Sequence, residues 1–216
     1  MKKRFYLFLE LCLFYTSCSI LAGCGREKPT AADSVQAIYD LYILGDTEGA
    51  YELGLANKDI VNAQTAYNNA LADSIRTNFS ASGLEIDEES VANICQARRE
   101  ALSRMTAEFT VISEHRDTAQ VRLSTTYFDE QALDADAAYE ARDAADQADL
   151  TDYQEYMEYV MASYTEHLIE GYHNVVPSEE TVSITVNCRI IDNVWMPEDM
   201  SSFGGDLALA ISGQLP

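Results

Sequence analysis

Apolar residues in the first half of the chain recur with the spacing of amphipathic helices, which predicts a series of helices before residue 106. A cap formed by Asp33 and Gln36 begins the first helix, Gly45 ends it, and Asp46 begins the second. A third helix is predicted over 59–79, and Asp87 begins a fourth. The side chains placed inward on these helices are Val35, Ile38, Tyr39, Tyr42, Ala50, Leu53, Ile60, Tyr67, Leu71, Ile75, Val91, Ile94, Cys95, Leu102 and Met105.

From residue 108 the apolar residues alternate with polar ones, which is the pattern of β-strands. Two such runs flank the turn residues Arg116 and Asp117 and predict a hairpin, and a longer run over 181–192 predicts its partner strand. Asn193 then turns the chain into a short run at 194–196, and residues 207–211 predict a final short helix. The side chains of the long strand that face one way are Val182, Ile184, Val186, Cys188 and Ile190.

The segment 129–173, between the hairpin and the long strand, contains no proline and reads as helix throughout. Its first part, 133–149, is rich in alanine and acid and has little to bury. Its second part begins at a capping box of Thr151 and Gln154, with a break predicted near Leu150. Inward positions of the second part are Leu150, Tyr153, Met157, Val160, Tyr164 and Leu168. The pattern as a whole predicts an α+β fold with an antiparallel sheet and a long helical insertion before the last long strand.

The first 24 residues carry an export and anchoring signal. Lys2-Lys3-Arg4 precedes an apolar run over 5–22, and Leu21, Ala22 and Gly23 form a lipobox in front of Cys24. Cleavage before Cys24 predicts a signal peptide at 1–23, a tether at 24–32 and one domain at 33–216, held by a diacylglyceryl group on the extracytoplasmic face of a bacterial membrane. An ordinary secretory signal or a retained helical anchor would leave the domain on the same side.

Composition and charge restrict the class of partner. The chain has 14 Lys and Arg against 36 Asp and Glu, a formal net charge of −22, and such a field repels nucleic acid and anionic lipid headgroups. The acidic surface either keeps the domain solvated or recruits a cationic partner. With 47% hydrophobic residues and four prolines, the chain is not disordered by composition and is long enough for one core.

Five cysteines are present, and two of them, Cys95 and Cys188, follow Cys24. Outside the membrane these two thiols either pair as a disulfide or are buried separately, since free cysteine is itself a common core residue. Their positions offer no metal-ligand spacing.

The order of parts resembles an uncharacterised group of Gram-positive surface lipoproteins. The residues that carry the resemblance are the corner at 45–51 (GDTEGAY) after the first helix and the turn with its tryptophan at 192–195 (DNVW). That group looks like a distant version of the cone-shaped nuclear transport factor two-like fold. The resemblance covers roughly residue 33 to the end, and it implies a curved antiparallel sheet wrapped by the N-terminal helices around an apolar pocket. The group provides no functional residues to carry over, and the acidic segment 129–149 departs from the compact form of the fold.

No catalytic motif, metal site or cofactor site is predicted. Glu170 and His173 have the Glu-x-x-His spacing of carboxylate-bridged metal sites, but only one copy is present. Asp134 and Asp136 lack the glycine and the glutamate that a calcium loop requires.

The tyrosines of the second insertion helix include a candidate binding surface. Tyr156, Tyr159 and Tyr172 lie off the apolar stripe and either form an exposed aromatic face or cover neighbouring apolar surface.

The leading hypothesis is therefore a non-catalytic module that binds an unknown protein or a small apolar ligand. The rival is a small cone-fold enzyme of the isomerase or dehydratase type, in which a pocket carboxylate of raised pKa lies beside a tyrosine. An importer's substrate-binding protein is disfavoured because the strand and helix order does not form two lobes.

Overall fold

The computed structural model describes residues 28–81 and 83–214. The predicted signal peptide, the lipobox and Cys24 lie outside these residues. The helices are α1 (Ala31–Tyr39), α2 (Glu48–Glu52), α3 (Asn57–Ala81), α4 (Glu88–Leu102), α5 (Glu130–Gln147), α6 (Tyr153–Asn174) and α7 (Met200–Ile211), and a π-helical turn, Asp40–Leu44, continues α1. The strands are β1 (Ala107–Glu114), β2 (Thr118–Thr125), β3 (Val182–Ile191) and β4 (Val194–Pro197).

Helix α1 begins one turn earlier than the sequence predicts. Thr30 is the N-cap, and its hydroxyl accepts from the Asp33 backbone N–H at 3.2 Å while the Asp33 carboxylate accepts from the Thr30 N–H at 2.7 Å. The predicted cap of Asp33 and Gln36 is therefore wrong, because Asp33 is the third residue of a capping box that starts at Thr30. The predicted end is confirmed, since Gly45 has φ 74° and follows the π-helical turn.

The four strands form an open antiparallel sheet in the order β1-β2-β3-β4. The hairpin of β1 and β2, the partner strand predicted over 181–192 and the turn at Asn193 are confirmed, and the structure shows that this partner strand, β3, pairs with β2. Asp192 and Asn193 have φ values of 49° and 70°, which is the backbone of a tight hairpin turn. Ile190 was predicted to be inward, but 39% of its surface is exposed because it lies at the end of β3 next to this turn.

One face of the sheet carries the core. Helix α1 packs on β1, β2 and β4, and α7 packs on β3, so the N-terminal and C-terminal helices cover the same apolar face. Helices α3, α4 and α6 extend this layer, and the buried residues of all these elements form one continuous cluster. This arrangement confirms the α+β class, with an antiparallel sheet wrapped by N-terminal helices and a helical insertion before β3.

The insertion is an antiparallel pair of helices, and its predicted break is confirmed. Asp149 has φ 50° between α5 and α6, but the cap of α6 is Asp152, whose carboxylate accepts from the Glu155 N–H at 3.0 Å. The predicted Thr151 box is one residue too early. Tyr153, predicted inward, is 77% exposed because it occupies the first position of α6, beside the turn between the helices.

More side chains of helix α5 are buried than its composition predicts. Ala137, Ala141 and Ala145 are spaced by one turn and are all buried, so small side chains let α5 approach α6 closely. Gly171 contributes to the same contact, because a Cβ atom there would lie 3.2 Å from the Leu133 side chain. Among the described residues, no helix is long and apolar enough to span a bilayer.

A glycine substitution tests the packing of the C-terminal segment. Gly213 has φ 69°, and a Cβ atom there would lie 2.5 Å from the Tyr127 ring. We expect Gly213→Ala to lower the free energy of unfolding by about 2 kcal/mol or more, from backbone strain and the clash together. Gly205→Ala is the matched control, because a Cβ at Gly205 meets nothing within 4 Å and alanine favours a helix by about 0.5–1 kcal/mol. Urea unfolding measures both; equal stability of the two variants would contradict the described contact.

Candidate functional site

The most deeply buried ion pair among the described residues joins α4 to the start of α5. Arg98 Nε donates to Glu130 Oε1 at 2.8 Å, and the two side chains are 7% and 17% exposed. Arg98 Nη1 also donates to the Tyr67 hydroxyl on α3 at 3.4 Å. Burial lowers the pKa of the Arg98 guanidinium, but the Glu130 carboxylate together with the phenols of Tyr67 and Tyr172 holds that pKa above its usual value.

Two tyrosines of α6 extend this polar cluster: Tyr172 is buried and Tyr164 is half-buried. The Tyr164 hydroxyl donates to Asp134 on α5, and the Tyr172 carbonyl accepts from Arg104 Nη2 at the end of α4. Burial raises the pKa of both phenols; the Asp134 carboxylate adds to this at Tyr164, and the carboxylates of Glu130 and then Asp134 add to it at Tyr172. We call Tyr67, Arg98, Glu130, Asp134, Tyr164 and Tyr172 the α4–α6 polar cluster.

Sequence reasoning identified Tyr164 as inward but did not identify the rest of this cluster as a unit. A signal was present: Val91, Ile94, Arg98 and Leu102 share the inward face of α4, so an arginine interrupts an apolar stripe. Such a position requires a buried anionic partner, although the sequence does not say which of the many acids provides it.

The aromatic face predicted on α6 is not formed. Tyr172 is 7% exposed and packs against Phe128, with ring centroids 6.3 Å apart. Tyr156 is half-buried and donates to Asp146 on α5 at 2.9 Å, so Tyr159, 43% exposed, is the one member of the three that is exposed. Of the two alternatives that the sequence allows, Tyr172 follows the second and covers neighbouring apolar surface, because both α4 and α5 pack on α6.

The polar groups of the α4–α6 cluster are directed at one another. Arg98, Glu130, Asp134 and Tyr164 all have hydrogen-bond partners within the protein. A described surface groove of about 490 Å³ lies elsewhere on α6 and is lined by Ala162, Thr165, Glu166, Ile169, Glu170 and His173. The cluster therefore acts as an internal connection between helices, and none of its residues lines this groove.

Among the carboxyl groups of the described residues, the one with a raised pKa belongs to Asp40, in the π-helical turn. Burial raises the pKa of Asp40, a hydrogen bond with the Gln36 side chain opposes this, and the charge of Asp46 adds to it. Among the described tyrosines, none donates a hydrogen bond to Asp40. Asp40 follows Tyr39 in the chain, and its charge contributes to the raised pKa of that phenol, whose hydroxyl lies 3.5 Å from the Thr125 hydroxyl.

Comparison with known proteins places the chain in a family. A family model described as a domain of unknown function (DUF5105) matches residues 24–202. The chain belongs to the DUF5105 family. No curated protein sequence matches this family member at a significant level.

A solved structure shares the fold of this DUF5105 member. It is YcdA from Bacillus subtilis subsp. subtilis str. 168, a protein provisionally classed as a lipoprotein, with a TM-score of 0.59 and 20% sequence identity. The alignment covers 84% of this chain and 55% of the YcdA chain, so the DUF5105 member spans about half the length of that protein.

Both cysteines of the DUF5105 domain that lie among the described residues are free thiols. Cys188 is buried on β3, and burial, with a smaller contribution from Glu198, raises the pKa of its thiol to about 11. Cys95 is half-buried on α4. Of the two arrangements that the sequence allows, the structure contains separate thiols.

The buried ion pair predicts unequal effects of two charge-removing substitutions. Glu130→Gln leaves the buried Arg98 guanidinium without its carboxylate and is expected to lower the free energy of unfolding by about 3 kcal/mol. Glu88→Gln, the matched control, removes the partner of Arg76; because the Glu88 side chain is 79% exposed, a much smaller loss is expected. Urea unfolding of both variants measures the difference; comparable losses would show that Arg98 has no special dependence on Glu130.

The buried phenols predict a cooperative alkaline transition. Burial raises the pKa of Tyr39, Tyr42, Tyr164 and Tyr172 in the folded chain, whereas the unfolded chain releases these protons near pH 10. Stability is therefore complete below about pH 10 and is lost as the pH rises further. Phenolate absorbance and circular dichroism followed together should show a set of tyrosines ionising only as the fold is lost. Complete ionisation with native circular dichroism would contradict the burial of these phenols.

Proposed function

We propose that this DUF5105 member is a lipoprotein anchored through Cys24 to the extracytoplasmic face of the cell membrane, and that its folded part is a non-catalytic binding or interaction module. The observation that carries the anchor is the lipobox Leu21-Ala22-Gly23-Cys24 at the exit of a short apolar run that follows three basic residues. The family match begins at residue 24, the residue that cleavage would expose. The provisional class of YcdA supports the same assignment.

The short tether keeps the domain close to the bilayer in this proposal. Helix α1 begins at Ala31, and its cap Thr30 is only six residues beyond Cys24. Six extended residues span at most about 20 Å, so the domain stays within roughly that distance of its lipid. A diacylglyceryl thioether together with an N-acyl chain would make the attachment effectively permanent.

The internal chemistry favours binding over catalysis. The α4–α6 polar cluster uses its charged groups to join helices, and the raised carboxyl of Asp40 has no tyrosine donor among the described residues. The sheet with α1 against its apolar face is also consistent with a distant cone-shaped fold, in which helices close over a curved sheet. The remaining surfaces, rather than an enclosed reaction site, are then where a partner would bind.

Lipid labelling tests the anchor. We expect radiolabelled palmitate to enter the wild-type chain and the protein to remain with the membrane fraction, because the Cys24 thiol is the only acceptor in a lipobox. Cys24→Ser should abolish labelling. The unacylated chain should then either be released from the membrane or keep its signal peptide. Cys18→Ser is the matched control, since it removes a neighbouring thiol within the same apolar run and should leave labelling unchanged. Label in Cys24→Ser, or none in the wild type, would refute lipid attachment at this residue.

A further inference from the structure

The outer face of the sheet, opposite α1 and α7, is not covered by any described element. Its central part is formed by positions 118, 120, 122 and 124 of β2 and positions 183, 185, 187 and 189 of β3, which point away from the core. We call these eight side chains the outer strip. All are exposed except Ser124, which is half-buried.

Hydrogen bonds between strands order the polar side chains of the outer strip. The Ser124 and Ser183 hydroxyl oxygens lie 2.8 Å apart, and Gln120 Nε2 donates to Asn187 Oδ1 at 3.0 Å. These cross-strand pairs fix some of the hydroxyl and amide groups in rows while leaving further donors and acceptors directed at solvent. The strip is therefore a hydrophilic and preordered surface two strands wide.

The strip differs in charge from the rest of the chain. It contains Arg122 and Arg189 and no acidic residue, in a chain whose formal net charge is −22. Within the described residues neither arginine forms an ion pair. Acidic side chains flank the strip on both sides: Glu108 and Glu114 lie on the edge strand β1, Asp117 lies in the hairpin turn, and the Glu198 backbone N–H donates to the Asn187 carbonyl at 2.8 Å.

The two arginines are spaced along the strands. Arg122 pairs with Thr185, which is four residues from Arg189 on β3, so the Cα atoms of the two arginines lie about 13 Å apart along the strand direction. Free guanidinium groups bind carboxylate and phosphate in a bidentate geometry, and the hydroxyl and amide side chains between them suit hydroxyl groups.

The chemistry of the strip disfavours a protein partner. The eight positions contain no aromatic or large aliphatic side chain, whereas a stable protein interface has a buried core of such residues. A partner that is hydroxylated along its length and acidic at intervals fits the strip better.

We propose that the outer strip binds an acidic polysaccharide, with Arg122 and Arg189 engaging carboxylate groups and the rows of hydroxyl and amide side chains engaging sugar hydroxyls. The proposal rests on the proposed function, because only a domain outside the membrane meets such polymers. The acidic surface elsewhere on the chain repels a polyanion at long range, so contact forms where salt screens that repulsion.

The probe is alginate, a carboxylate-bearing polysaccharide, labelled with a fluorophore and titrated with the full chain in detergent at physiological salt. Fluorescence anisotropy measures the affinity. Arg122→Gln combined with Arg189→Gln should weaken binding about tenfold or more, because two charge-assisted contacts are lost. Lys58→Gln combined with Arg142→Gln is the matched control, since it removes two exposed charges on α3 and α5, and a change below about twofold is expected. Thermal unfolding confirms that both variants fold.

Each other outcome overturns the proposal. Absence of alginate binding refutes it while leaving lipid attachment at Cys24 intact, because the labelling test is independent of the strip. An equal loss in both double variants shows that only net charge matters. Competition by poly-L-glutamate as effective as by unlabelled alginate shows that acidic groups suffice without sugar, and equal competition by dextran shows that the carboxylates are not recognised.

Discussion

The buried pair of Arg98 and Glu130 is the interaction on which the arrangement of the helices depends. A guanidinium on the inward face of α4 is tolerated only if an anion reaches it, because an unpaired buried charge costs several kcal/mol. Glu130 reaches it from the first position of α5, where the Asp129 cap fixes the start of the helix by accepting from the Gln131 and Ala132 N–H groups. The Phe128 N–H, two residues before Glu130, donates to the Ile211 carbonyl at the end of α7. This hydrogen bond and the ion pair together join the insertion to the body of the domain.

This constraint explains how an alanine-rich and acidic segment becomes part of a folded domain. The alanine stripe of α5 provides little apolar area but allows close contact with α6, and the bond between Tyr164 and Asp134 adds a polar connection. Once the pair of helices is held on α4, the charged groups of the α4–α6 polar cluster have their ion-pair and hydrogen-bond partners within the cluster. Recognition is then left to the surface, where a strongly acidic exterior contrasts with an arginine-bearing strip on the sheet.

The pattern of apolar and polar residues predicted most of the helices and strands. The features that it did not predict depend on contacts between residues that are far apart in the chain. The alternation in β1, β2 and β3 predicted the strands and the hairpin, but whether β3 pairs with β1 or β2 follows only from the three-dimensional structure. Thr30 was missed because Asp33 is an equally good cap by composition, and only the position of the first hydrogen-bonded turn distinguishes them. The tyrosines of α6 were misplaced because each side of that helix has a different neighbour, which the spacing of apolar residues does not reveal. The sequence shows Arg98 as a charged residue in the apolar stripe of α4. Identifying Glu130 as its partner among 36 acidic residues requires the three-dimensional structure.

A double-mutant cycle on the buried pair tests this account most directly. Arg98→Met, Glu130→Met and the combination of both would be compared with the wild type by urea unfolding. The account predicts that each single substitution is strongly destabilising and that the double substitution costs far less than their sum, with a coupling of about 2 kcal/mol or more. Additive losses would contradict it, because they would mean that neither residue depends on the other for its place in the fold.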